Sequence, residues 1–205
     1  MIINENPIEK HHKKLYSALS PELRTKIDGI ENLPKEELYL IPIKRKRKPE
    51  VKAGTVFAML LPERKYLYGK VIAPADKLPN IESNFFIVLV GNFVSDKLEF
   101  PQFELNKDNI TCVWIATLGF WKNGTFFTVG QTELTAVEKN LDIGLYECKL
   151  IPHSEGKMKD VGYFVSLQGN KIHHTPKIFA LCAYKTIYGI EQDIRKQIIL
   201  GKIKL

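Results

Sequence analysis

The sequence predicts a mainly β (α+β) fold, with a small curved β-barrel or SH3-like sheet, an N-terminal helical extension and a C-terminal helix. Three observations support it: a hairpin pattern at residues 54–72, strand-length apolar runs at 85–90 and 110–118, and helical periodicity near the two ends. With 205 residues, 44% hydrophobic and 26% charged, the chain has the composition of a folded globular domain with additions.

The hairpin pattern is the centre of this prediction. Residues 54–61 are apolar or β-branched at nearly every position, which is typical of a strand covered on both faces. The charged turn PERK follows, and residues 66–72 return as a strand with one face made of Tyr66, Tyr68, Lys70 and Ile72. On the other face, Gly69 has no side chain and would let a ring or a backbone approach closely.

The later strands are predicted in the same way. FFIVLV at residues 85–90 indicates a core strand, residues 92–109 an irregular connection, and residues 110–118 the next strand. Asn123-Gly124 is typical of a tight hairpin turn, so residues 125–129 are expected to return as the paired strand. Further strands are expected at 144–151, 163–167 and 178–184, the last of them buried.

Helical patterns mark the two ends. Ser20-Pro21-Glu22 combines a capping serine, a proline at the first helical position and an acidic first turn. Isoleucines at 190, 194 and 198 form one helical face, and Gly201 ends that helix. We therefore predict a helical extension at residues 1–43, packed on the barrel or forming a lid, then a basic linker at 44–53 and a β-rich domain at 54–205.

Positive charge is concentrated in that linker. The net charge is +7, and residues 44–53 alone carry six Lys or Arg against one Glu, a net +5. Three interpretations stay open: a solvated linker, contact with an acidic protein partner, and contact with nucleic acid or an anionic surface. The run has no aromatic neighbours for base stacking, which argues against nucleic acid. The candidate partner-binding side chains in the run are Lys44, Arg45, Lys46, Arg47 and Lys48.

Trp121, beside the predicted turn, is the second candidate. One interpretation is packing in the core or at the rim of the hairpin. The other is an anchor facing a partner, because tryptophan is frequent among interface hot spots.

No pattern predicts a catalytic residue, a metal ligand or a cofactor. The chain lacks H-E-x-x-H, H-x-H, G-x-S-x-G and a glycine-rich phosphate loop. His173-His174 is the best remaining metal candidate, although a surface turn also explains it. The cysteines form no C-x-x-C pair and are interpreted as reduced thiols at Cys112, Cys148 and Cys182. No apolar run approaches the roughly 20 residues that span a bilayer, and no signal peptide is apparent, so we expect a cytoplasmic protein.

Two stretches carry a family resemblance. KPEVKAGTVFAMLLPERKYLYGKVIAP has a strand opening at Gly54 to Phe57, a charged turn, and a tyrosine-x-glycine-x-valine strand; TFFTVGQTEL follows at 125–134. Together they resemble the immunity protein 26 family of bacterial polymorphic toxin systems, although Thr55 stands where aspartate is commoner. The likeness covers roughly residues 48 to 150. It implies a protein that binds a cognate toxin and blocks its active site or substrate path; the basic charge makes an acidic partner surface the expectation.

Two other functions are kept as alternatives. A small β-barrel that binds or cleaves RNA could open with a similar strand, but convincing catalytic partners are missing. Some relatives of the family carry a phosphotriesterase label, and such a hydrolase would need clustered histidines and carboxylates to hold metal.

Overall fold

A five-stranded antiparallel sheet forms the centre of the molecule. In the computed structural model, residues 6–153 and 157–205 are described. The sheet has the strand order β4-β3-β2-β1-β5. Its strands are β1 (Thr55–Leu60), β2 (Tyr66–Pro74), β3 (Phe85–Ser95), β4 (Ile110–Thr117) and β5 (Phe127–Gln131). The protein is therefore mainly β with helices, as the sequence predicted.

The β1–β2 hairpin agrees closely with its prediction. Every residue of β1 is buried, and the strand pairs with β2 from Val56 opposite Lys70 to Leu60 opposite Tyr66. Arg64 adopts a positive φ of 62° in the turn. The expected close approach at Gly69 is present, because a Cβ built there would lie 2.5 Å from Cζ of Phe57. Only glycine leaves room for that ring.

The connection between β4 and β5 is a correction. Asn123-Gly124 does not close a hairpin: residues Gly119–Asn123 form the short helix α4, and Gly124 ends it with a φ of 88°. β5 then pairs with β1, at the opposite end of the sheet from β4. Burial of the two aromatic residues inside α4 overrides the local turn signal. As β4 and β5 lie at opposite ends of the sheet, it does not close into a barrel, and that part of the prediction is wrong.

A second, four-stranded sheet covers one face of the first. It has the order β10-β9-β6-β11, with β11 parallel to β6 and the other pairs antiparallel. Leu145 and Val165 pack there against Ile87 and Ile115 of the central sheet. The strands are β6 (Ile143–Glu147), β9 (Tyr163–Val165), β10 (Lys171–Ile172) and β11 (Ile178–Leu181); β7 (Leu150–Pro152) and β8 (Met158–Asp160) form a separate pair.

Two details of this region differ from the sequence prediction. The stretch 144–151 is split between β6 and β7 rather than forming one strand. The strand expected at 178–184 is shorter and is not buried, since Leu181 is exposed and Tyr184 is 62% exposed. It lies at the edge of the second sheet, with β6 as its one strand neighbour among the described residues.

The other face of the central sheet packs against the C-terminal helix. Helix α6 (Ile187–Ile199) buries Ile190 and Ile194 against a core that includes Phe57 and Trp114, as its isoleucine spacing predicted. Gly201 follows with a φ of 69°. The layers are thus α6, the five-stranded sheet and the four-stranded sheet. None of the helices described in the structure is long and apolar enough to cross a membrane.

The N-terminal segment is helical, as expected, and docks mainly on α6. It contains α1 (Pro7–Ser17), α2 (Pro21–Asp28), a 3₁₀ turn (Ile30–Asn32) and α3 (Lys35–Leu38). Ser20 caps α2 and Pro21 is its first residue. At the end of the segment, the buried carboxylate of Glu191 in α6 accepts a hydrogen bond of 2.9 Å from the backbone N–H of Leu40.

A buried ion pair holds the loop after β3. Lys70 Nζ in β2 lies 2.6 Å from Glu138 Oε1, and both side chains are at most 2% exposed. Glu138 lies in the short helix α5 (Ala136–Lys139), where it forms a capping box with Thr135. It also accepts a hydrogen bond of 3.0 Å from the N–H of Leu105. One carboxylate therefore ties together β2, the loop and α5.

Candidate partner-binding surface

The basic run is exposed and lies beside the end of α4. Its path is fixed just before it begins: Ile41 forms a bridge with Leu60, and the N–H of Ile43 donates to the carbonyl of Gly124 at 2.9 Å. Residues 44–48 are all exposed and form neither helix nor strand. Their cations are therefore anchored at one end and open to solvent.

The five cations have no acidic partner among the residues that the structure describes. Across residues 6–153 and 157–205, no ion pair involves the side chains of residues 44–48. Elsewhere lysines do find carboxylates, for example Lys65 with Asp96 at 2.7 Å and Lys185 with Asp193 at 2.8 Å. The charge of the run is thus not compensated by ion pairs within the described part of the chain.

A cavity of about 290 Å³ lies between the basic run and the start of β5. Three residues of the run supply one side, and aromatic residues from α4, from β5 and from the segment between them supply most of the other. The lining is Lys44, Arg45, Lys46, Trp121, Phe126, Phe127 and Thr128. Two features that the sequence left unconnected, the basic run and Trp121, therefore meet at one place.

Trp121 is a core residue at the base of this cavity. It is 1% exposed, and its ring packs edge-on against Phe57, Phe86 and Phe126 at centroid distances of 5.5, 5.8 and 5.0 Å. The core interpretation is thus the correct one for the ring, which does not project as an exposed anchor. Its Nε1 is buried without a hydrogen-bond partner in the described structure. A role in partner binding stays a prediction.

The chemistry of the lining suits binding. It contains cations, aromatic rings and one hydroxyl group, while no carboxylate, histidine or cysteine takes part in it. General acid–base chemistry uses a titratable side chain placed beside the reacting atom, and the lysines here face solvent. Cationic side chains over aromatic surface instead match an acidic group that is followed or preceded by apolar surface.

The histidine pairs lie elsewhere. His174 Nε2 is 2.9 Å from Asp142 Oδ1 at an exposed position, and this contact is the main cause of the lowered pKa of Asp142. His11 and His12 line a second cavity, of about 180 Å³, between α1, β4 and α6. Burial is the main cause of the lowered pKa of His12. In the described residues, no three His, Cys, Asp or Glu side chains are grouped so as to hold a metal ion.

The contribution of β5 to the surface was missed by sequence reasoning. The sequence predicts a hairpin of residues 125–129 with β4, which would place Phe126, Phe127 and Thr128 away from the basic run. Nothing local in the sequence signals their true neighbour, because pairing with β1 joins strands far apart in the chain.

The comparisons with known proteins gave one match. A family model described as Immunity protein 26 matches residues 52–151, a range that contains all five strands of the central sheet and α4. No curated protein and no solved structure matches this chain.

Proposed function

We propose that the protein binds and neutralises a cognate bacterial toxin, because residues 52–151 match the family model described as Immunity protein 26. It does so by covering the toxin's active site or the path of its substrate. The family match is the observation that carries the proposal. A rigid central sheet with an uncompensated charged surface supports it, since occlusion requires shape and charge and no bond-making group.

The proposed contact surface is the basic run together with the cavity beside it. Exposed charges without internal partners raise the rate of encounter with an oppositely charged protein and help to reject wrong partners. Trp121 contributes by supporting the aromatic base of the cavity. The expected partner has an acidic surface, or is a toxin that is not a nuclease.

The setting we propose is a bacterial polymorphic toxin system, with neutralisation in the cytoplasm where the toxin is made. The test is co-expression with the toxin encoded by the neighbouring gene, scored as colony survival, and co-purification of the two proteins. Survival and a stable complex are the expected results. If cells die with this protein present and no complex forms, the proposal is refuted.

Two measurements separate this function from the RNA-binding alternative. Toxin binding should weaken as salt is raised, and a single-stranded RNA added in excess should not displace the toxin. Retention of RNA at physiological salt without toxin binding would favour the RNA-binding alternative instead.

A further inference from the structure

The two edges of the central sheet differ in which chain segments lie beside them. At the β4 edge, Tyr184 forms a bridge with Ile115, and the N–H of Lys185 donates to the Ile115 carbonyl at 2.9 Å. At the other edge, β5 has β1 as its one strand neighbour in the described structure. Residues 127–130 are half-buried and Gln131 is exposed. The β4 edge is therefore bonded to a further segment, whereas no strand lies beyond β5 in the described structure.

An open strand edge carries backbone donors and acceptors that another chain can pair with. Natural proteins protect such edges with lysines, with bulges or with covering loops. Here the β1–β5 pairing has a register shift between Val56 and Phe57, and the basic run lies next to the first residues of β5. A second copy of this chain would bring an equal positive charge to the same edge, so self-pairing there is opposed by repulsion.

The same arrangement favours an acidic strand. Its carboxylates would face the uncompensated cations of residues 44–46, and its backbone would pair with the open edge. A side chain pointing inward would enter the cavity of about 290 Å³, whose base is formed by Trp121 and Phe126. Strand addition of this type takes affinity from backbone hydrogen bonds and specificity from pockets for alternate side chains.

We propose, resting on the proposed function, that an extended acidic segment of the toxin adds to β5 as a sixth strand, beside Lys44, Arg45 and Lys46. This names both the chemistry of the partner segment and the way in which it is held. The central sheet of the immunity protein thus continues into the toxin.

The test measures backbone hydrogen exchange of the full-length protein, alone and bound to the inactivated toxin of the neighbouring gene. Those amides of residues 127–131 that point away from β1 should exchange at least about tenfold more slowly in the complex, whereas those of β4 should not change. Trp121 supplies a second readout in an NMR spectrum of the indole N–H groups. The chain has two tryptophans, and the other, Trp114, is held by Asp193 at 2.9 Å and serves as the internal reference.

Two charge variants test where the acidic segment lies. Lys44→Gln/Lys46→Gln removes two cations that line the cavity; Arg47→Gln/Lys48→Gln removes two from the same run that do not. The first should weaken toxin binding about tenfold and the second about threefold or less, because close charge pairs couple more strongly than distant ones. Equal losses would overturn the placement of the acidic segment.

The remaining outcomes are also decisive. A stable complex in which residues 127–131 exchange as fast as in the free protein overturns strand addition and leaves the immunity function standing. Absence of both complex and rescue overturns the immunity function itself. Slower exchange at β5 in the free protein as its concentration rises would show that a second copy occupies the edge, which also overturns the acidic-segment proposal.

Discussion

Removal of either member of the Lys70–Glu138 pair should destabilise the protein strongly. The two charges are 2.6 Å apart with side chains that are at most 2% exposed, so each loses its hydration on folding and depends on the other. Lys70→Met leaves a buried carboxylate with the N–H groups of Leu105 and Thr135 as its remaining donors, each at 3.0 Å. Glu138→Gln leaves a buried ammonium group. Each single substitution should lower the free energy of unfolding by about 3–5 kcal/mol.

The assay is urea unfolding of both single variants and the double variant. Lys70→Met/Glu138→Gln should be more stable than the sum of the single losses predicts, with a coupling energy of about 2–3 kcal/mol. If the slope of the free energy of unfolding against urea concentration is the same in all variants, their stabilities can be compared directly.

An exposed ion pair with the same nitrogen–oxygen distance provides the control. Lys26 Nζ also lies 2.6 Å from Glu22 Oε1, but these side chains are 56% and 76% exposed. Lys26→Met should therefore cost no more than about 0.5 kcal/mol. The reasoning is wrong if Lys70→Met costs as little as Lys26→Met, or if the two buried substitutions are simply additive.

Three further predictions concern single positions. Gly69→Ala should destabilise by about 1–3 kcal/mol, measured by urea unfolding, because its Cβ would lie 2.5 Å from the Phe57 ring and 2.8 Å from a backbone carbonyl. Burial raises the pKa of Glu191, so stability should fall as pH rises from the unfolded pKa of this group through its folded pKa. Glu191→Gln, which keeps an acceptor, should remove that fall in unfolding experiments from about pH 4 to 8. Iodoacetamide should label exposed Cys148 before buried Cys112, as seen by mass spectrometry, since burial raises the pKa of the Cys112 thiol.

Each of these three predictions has a result that would contradict it. Gly119→Ala is the matched glycine control, because its nearest contact would be an ordinary 3.4 Å, and it should change stability by less than about 0.5 kcal/mol. Equal effects at Gly69 and Gly119 would contradict the steric argument. An unchanged pH slope in Glu191→Gln would show that this carboxyl group does not cause the fall, and equal labelling of the two cysteines would contradict the burial of Cys112.

The parts of the fold that the sequence predicted are those set by neighbours along the chain. The β1–β2 hairpin follows from an apolar strand, a charged turn and a returning strand, and α6 follows from its isoleucine spacing. The N-terminus of α2 follows from Ser20-Pro21. In each case the deciding contacts lie within about two turns or one strand of each other.

The parts of the fold that the sequence did not predict depend on contacts between residues far apart in the chain. The Asn123-Gly124 signal was overridden by burial of Phe120 and Trp121, which no local pattern reveals. Lys70 finds Glu138 across 68 residues. A readable clue to that pair existed, since Thr135 and Glu138 have capping-box spacing and a lysine inside an otherwise buried strand needs a partner. The basic run was found, but its cavity was not, because β5 was placed at the wrong edge.

The hydrogen bond from Leu40 to Glu191 has a consequence for synthesis on the ribosome. Its two partners are 151 positions apart, so α1 to α3 emerge long before the helix that receives them. The basic run begins four residues after Leu40, and this upstream tie forms only when α6 has been translated. The contacts of Ile41 with Leu60 and of Ile43 with Gly124 need no residue of α6. The start of the basic run can therefore be held before α6 is translated, and it is the docking of the N-terminal helices that waits for α6.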